Sequence, residues 1–279
     1  MNAEDHAVRF LCHNDWLYGV LSLPEQARTR GIVMLVGGPQ YRAGSHRQFT
    51  LLSRYFASCG IATLRFDYRG MGDSEGDVRN FESINDDIRC AIDHFMQCVP
   101  GMTDVVIWGL CDAASAALFY AWRDSRISGL VLLNPWVRTE SGLAKTHLKH
   151  YYFSRLFAAE LWKKIFAGKV DYVATALSFI NVVRMAWFKP VQPEAFASLP
   201  DRMLDGYSRF KGKVLLILSG DDLTASEFSD LAASNEKWRA LLDNQQTQIF
   251  TLPGANHTFS TRALRDKVGQ RTKDWLQSW

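Results

Sequence analysis

Residues 104–122 read DVVIWGLCDAASAALFYAW, and the fold turns on how that stretch divides. Residues 105–108 (VVIW) form a short, apolar, β-branched run of the length of a fully buried strand, whereas residues 113–122 are alanine-rich and suit a helix. Gly109-Leu110-Cys111-Asp112-Ala113 has to join the two. A strand that turns at once into a helix needs small residues two before and two after the turning residue, because larger side chains would strike neighbouring backbone. Gly109 and Ala113 meet that demand and leave Cys111 at the tip. The tip lies at a helix N-terminus, where unpaired N–H groups and the helix dipole favour negative charge, and a thiolate gains more from this than an alcohol does. Cys111 is therefore a candidate nucleophile, set against the competing reading of a buried structural thiol.

The five residues resemble the G-x-S-x-G nucleophile elbow of the α/β-hydrolases, with Cys111 in the serine's place and Ala113 in the second glycine's. The resemblance implies an α/β fold: a mostly parallel, eight-stranded sheet flanked by helices, with a helical cap insertion. The remaining chain fits that plan. Residues 7–12 and 16–23 alternate in hydrophobicity around His13-Asn14-Asp15, as in an antiparallel hairpin. Residues 31–36 (GIVMLV) read as a buried strand, 47–59 as a helix stopped by Gly60, 61–66 as the next strand and 81–98 as an amphipathic helix. The alternation of strand and helix predicts a parallel sheet. Between them, Asp67-Tyr68-Arg69-Gly70-Met71-Gly72-Asp73-Ser74-Glu75-Gly76 matches a D-x-R-G-x-G-x-S-x-G loop of the superfamily, in which Asp67 and Arg69 read as structural hydrogen-bonding residues rather than catalysts.

After a further strand at 129–133, ending in Asn134-Pro135-Trp136, the rhythm stops until residues 214–218 (VLLIL) restore it. The division expected is therefore a first core part at 1–136, a cap at 137–210 and a second core part at 211–279. Residues 145–166 and 172–188 read as two long helices, aromatic on one side and basic on the other. Neither has the roughly 20 apolar residues of a membrane span, so peripheral membrane contact is the most they allow.

In this fold the loop after the 31–36 strand supplies one half of an oxyanion hole and the N–H of the residue after the nucleophile supplies the other, here Asp112. Pro39 has no N–H, which leaves Gly38 or Gln40 as the second donor. The strand at 214–218 ends in Ser219-Gly220-Asp221-Asp222, where a triad requires an acid to fix the histidine tautomer. Asp222 is preferred to Asp221 because the Leu-Thr-Ala that follows it resembles the family's loop more closely. A helix near 229–243 and a last strand at 248–252 lead to Gly254-Ala255-Asn256-His257, and His257 stands where the family places its base. Tyr41, Arg42 and Trp136 are the candidate substrate-binding residues. Arg42, with His46 and Arg47, is read either as a cationic mouth for an acidic acyl group or as a solvated basic loop.

Composition narrows the class without deciding it. At 279 residues, 47% hydrophobic and 22% charged, the chain is an ordinary globular sequence, and a net charge of +3 gives no ground for nucleic-acid binding. The cysteines (Cys12, Cys59, Cys90, Cys98, Cys111) include no C-x-x-C pair and are odd in number, so neither a metal site nor a disulfide framework is indicated, and no cofactor motif is present. With no apolar run of signal-peptide length near the start, a cytoplasmic location is expected. The stretches GGPQYRAGSHRQF, FDYRGMGDSEG, SGDDLTASEF and GANHTFS, together with the cysteine elbow, resemble the hydrolases associated with the exosortase A system, and more distantly the serine aminopeptidase-like lipases and cysteine-dependent dienelactone hydrolases. That resemblance implies a small-molecule acyl substrate, a Cys111-Asp222-His257 triad and a covalent acyl-enzyme, with acyl transfer or a binding protein that has lost catalysis as the alternatives.

Overall fold

The computed structural model describes residues 3–38, 40–137 and 197–279. The two long helices expected at 145–166 and 172–188 lie outside the described residues. Eight strands form one sheet: β1 (Ala3–Cys12), β2 (Asp15–Pro24), β3 (Arg30–Leu35), β4 (Thr63–Phe66), β5 (Asp104–Leu110), β6 (Ile127–Leu133), β7 (Lys213–Ser219) and β8 (Thr247–Leu252), in the order β1-β2-β4-β3-β5-β6-β7-β8. β1 pairs with β2 and β2 with β4 antiparallel, and every other pairing is parallel. The described helices are α1 (Gln48–Ser58), α2 (Asn85–Cys98), α3 (Asp112–Tyr120), α4 (Leu199–Arg209), α5 (Leu223–Ser234), α6 (Glu236–Leu242) and α7 (Arg262–Leu276).

The parallel strands are apolar on both faces because helices cover both, and Ile32, Met34, Val106, Trp108, Val131, Leu215 and Ile217 are buried in one cluster with Phe49 and Phe56 of α1. Trp108 meets Phe49 edge-on at 5.4 Å between ring centroids, fixing α1 against the centre of the sheet. α3 is buried from Ala113 to Tyr120, which explains why its sequence carries no polar stripe.

The structure departs from the sequence expectations in four places. The helix expected over 81–98 is a short 3₁₀ turn (Phe81–Ser83) followed by α2. The helix expected over 229–243 is two helices, α5 and α6, because Asn235 is extended (φ −122°) and its side chain accepts the N–H groups of Lys237 and Trp238 at 3.0 and 3.3 Å, restarting the helix. α7 was not expected at all; its buried residues Val268, Gly269, Thr272, Trp275 and Leu276 recur at helical spacing in an otherwise polar segment, and its start is capped by the Thr261 hydroxyl. Finally, the chain divides into units of 1–136 with 200–279 and of 137–199, so the second core part begins earlier than the 211 expected. α4, apart from Leu199, is core rather than cap: its buried Tyr207 packs against Trp238 of α6 at 5.9 Å between ring centroids.

Asp67 and Arg69 have the structural role expected of them. Asp67, 1% exposed, accepts the N–H groups of Arg42 (2.7 Å) and Asp73 (3.2 Å), and a side chain at Gly72 would collide with its carboxylate. Arg69 grips Asp87 of α2 with two parallel bonds of 3.0 and 2.9 Å, the two side chains being 6% and 0% exposed. Removing one partner of so buried a pair strands the other charge. Asp87→Ala is therefore expected to lower the unfolding free energy by about 3–5 kcal/mol. Urea denaturation reads this as a lower midpoint at an unchanged slope, and a loss below about 1 kcal/mol would show the pair to be dispensable.

Candidate active site

Cys111 sits at φ +64°, ψ −125°, between the end of β5 and the start of α3. A non-glycine residue holds such a backbone only when its surroundings fix it. Its N–H donates to Leu133 O (2.8 Å), and its carbonyl accepts from the N–H groups of Ala114 (3.0 Å) and Trp136 (3.2 Å). A Cβ at Gly109 would lie 2.7 Å from the backbone of Ala113, so glycine is required there. The turn thus ties the backbone of Cys111 to β6 and α3, while its partly buried side chain packs at the edge of the core cluster. Ser115, the nearest hydroxyl along the helix, is buried and donates to Trp136 O at 2.7 Å, so it is occupied in holding the turn.

His257 follows β8. Its Nδ1 lies 2.9 Å from Asp222 Oδ2, and the same carboxylate caps α5 by accepting the Ala225 N–H at 3.1 Å. Asp222 is held below the ordinary carboxylate range: burial acts to raise it, but the hydrogen bond and charge of His257 and the N–H groups of Ala225 and Thr224 outweigh that. His257 is raised to about 10, first by the Asp222 hydrogen bond and then by one to Cys111. Asp221, the alternative acid, is exposed, and its N–H donates to Ala255 O at 2.9 Å. Of the two acids, then, Asp222 faces the histidine.

The sequence reading missed what holds the three loops in register. Asn134, fully buried with φ +43°, donates from Nδ2 to Ser219 Oγ (2.8 Å) and to His257 O (3.1 Å), and its Oδ1 accepts the Ser219 N–H at 2.8 Å. Ser219 Oγ in turn donates to Asn256 O at 2.9 Å. One side chain therefore links the ends of β6 and β7 to the histidine loop. An Asn at the C-terminal end of a buried strand, where a polar side chain has to find partners, was the available signal.

The loop after β3 differs from expectation. The Gln40 N–H is not an available donor, since it is spent on Gly38 O at 2.8 Å, and the side-chain oxygen of Gln40 accepts from Ser45. Gly38 N–H does point to the elbow, where it meets both carboxylate oxygens of Asp112 at 2.8 and 2.9 Å. Arg42 is not a free cation either: its guanidinium pairs with Asp67 and, at 2.8 Å, with Asp73, and stacks over the Tyr41 ring at 4.2 Å. Its side chain is 13% exposed, so the cationic mouth is a structural knot. Tyr41 is exposed and donates to Asp73, whereas Trp136 contributes its backbone to the elbow.

A family model described as serine aminopeptidase, S33 (Hydrolase_4) matches residues 27–179, more than half of the chain. The chain belongs to this family. The fold is that of several solved α/β-hydrolases. The Pyrococcus furiosus esterase Pf2001 superposes with a TM-score of 0.67 at 16% identity, covering 99% of this chain and 93% of that one. Est1E from Butyrivibrio proteoclasticus, solved with ferulic acid bound, gives 0.64 at 16% identity, covering 98% and 97%. A dienelactone hydrolase from Anabaena variabilis gives 0.62 at 15% identity, covering 100% and 99%. No curated protein matches by sequence. This family member is an enzyme of the α/β-hydrolase class, and among its described residues no helix is long and apolar enough to cross a membrane.

Because His257 is raised from an ordinary value of 6.5 to about 10, its ion pair stabilises the folded protein fully below pH about 6.5, and that contribution is lost as pH rises through about 10. Replacing His257 by glutamine should therefore destabilise the protein more at pH 6 than at pH 10.5. Urea titrations of both forms across this range check the sign, and a gap that stays constant would contradict the pairing.

Proposed function

We propose that this hydrolase cleaves an ester, thioester or related acyl bond with Cys111 as nucleophile, His257 as base and acid, and Asp222 as the carboxylate that orients the histidine. The observation that carries the reading is the line from the elbow through His257 to Asp222, with a 2.9 Å bond at its far end. The proton shared by Cys111 and His257 rests on the His257 nitrogen remote from Asp222, as the raised histidine favours, and the sulfur attacks the substrate carbonyl. The tetrahedral oxyanion is held by the N–H groups of Gly38 and Asp112. Collapse breaks the bond to the leaving group, which takes the proton from His257, and a thioester remains. Water then gives its proton to His257 and attacks the thioester, and the thiol is regenerated with release of the acid. Since a thioester retains much of its acyl-transfer potential, the cysteine at the elbow also favours a second reading in which an alcohol or amine replaces the water. The quoted motifs further support a role beside exopolysaccharide and exosortase functions, in the cytoplasm.

Cys111→Ala is expected to abolish turnover while the folded state persists. In the wild type, Cys111 should be alkylated well ahead of Cys12 and Cys98, whose thiols burial pushes up. Mass spectrometry of iodoacetamide-treated protein reads the order, and uniform modification of all the cysteines would remove the nucleophile assignment.

Asp222→Asn keeps the shape but favours the wrong imidazole tautomer, so kcat should fall by up to about 10⁴. Asp221→Asn should change it little. Steady-state kinetics on a panel of short- and long-chain acyl esters and thioesters measures both, and a reversed pattern would move the acid role to Asp221.

A further inference from the structure

The donors that a tetrahedral oxyanion needs are already taken. Asp112 begins α3 directly after the elbow residue, and its side chain folds back across the gap between β5 and the loop after β3. Both its oxygens accept the Gly38 N–H, at 2.8 and 2.9 Å. Burial pushes this carboxyl up, outweighing the N–H groups of Gly38, Ala113 and Asp112 itself and the charge of His257. The space is reserved for it: a Cβ at Gly37 would lie 2.4 Å from Asp112 Oδ1. The Gln40 N–H does not replace that of Gly38, being spent on Gly38 O.

We propose that the Asp112 carboxylate is a built-in occupant of the oxyanion hole, which the substrate's carbonyl oxygen must displace before the tetrahedral intermediate can form. The proposal rests on the reading of Cys111 as nucleophile. The physical basis is a competition between like groups. A carboxylate oxygen and an oxyanion are both anionic acceptors, and one N–H aimed at both oxygens of a carboxylate cannot also serve an alkoxide. Asp112 thereby sets the reactivity of the site, because acylation is slowed for any substrate whose binding does not turn its side chain out. Its own backbone N–H, which also faces the carboxylate, is freed together with that of Gly38 when the side chain turns out.

The test uses two probes that differ in whether they need the hole. A simple alkyl aldehyde adds Cys111 sulfur to its carbonyl carbon, the thiol proton ending on oxygen through His257, and gives a hemithioacetal whose oxygen needs the hole. Iodoacetamide alkylates the same sulfur with loss of iodide and makes no demand on the hole. With the whole chain, Asp112→Ala is expected to bind the aldehyde about tenfold more tightly relative to its iodoacetamide rate, since the freed Gly38 N–H gains a hydrogen bond to the adduct oxygen. Asp112→Asn, which keeps the shape but removes the charge, should fall between and serves if the alanine variant does not fold. Unchanged or weaker relative aldehyde affinity in both variants, with Cys111 still selectively alkylated, overturns the gate and leaves the nucleophile standing. Failure of either probe to modify Cys111 in any form overturns the nucleophile, and the gate falls with it.

Discussion

The left-handed backbone at Cys111 is the constraint on which the other parts of the site depend. A non-glycine residue at φ +64° costs on the order of 1–3 kcal/mol. That cost is offset only because every hydrogen-bonding group of the residue's backbone is engaged. The N–H is fixed by Leu133 of β6 and the carbonyl by the N–H groups of Ala114 and Trp136, so the turn exists only where β5 and β6 are already neighbours. The tip is thus a product of the sheet, and the close approach of α3 to β5 there explains why Gly109 tolerates no side chain.

The same strand ends carry the rest of the constellation. In a parallel sheet all carboxyl ends lie on one edge, so β5, β6, β7 and β8 deliver Cys111, Asn134, Ser219 with Asp222, and His257 to one side. Topology alone leaves loops several ångströms of freedom, and the buried amide of Asn134 removes it by bonding the ends of β6 and β7 and the His257 carbonyl together. Asp222 is fixed independently, since it both caps α5 and faces His257. Both members of that pair shift in the direction an ion pair requires, the histidine up and the carboxylate down.

What the sequence made legible follows from how local each signal is. Buried strands, the elbow and the loop from Asp67 to Gly76 are written in consecutive residues, and each was read with its approximate bounds. The break between α5 and α6 was also written locally, in Asn235, and was passed over because the surrounding residues favour helix on either side. α7 was passed over because its few core contacts are diluted by charge. The fates of Arg42 and Asp112 were of another kind. Arg42 finds Asp67 and Asp112 finds Gly38 across long stretches of chain, and no periodicity encodes whether a charged side chain is free or already paired.

The charge balance around the elbow then has a consequence for catalysis of the kind proposed. Asp112 and Asp222 both feel the charge of His257, whereas Arg42 is committed to Asp67 and Asp73. That imidazolium is favoured first by the hydrogen bond to Asp222 and then by the one to Cys111. With Arg42 committed to Asp67 and Asp73, a new negative charge developing on a substrate oxygen relies on the backbone N–H groups. Against those donors, the Asp112 carboxylate is the competitor closest at hand. The developing charge itself repels it, so formation of the intermediate and departure of the carboxylate favour each other, and the energy of the hole becomes available only as the reaction calls on it.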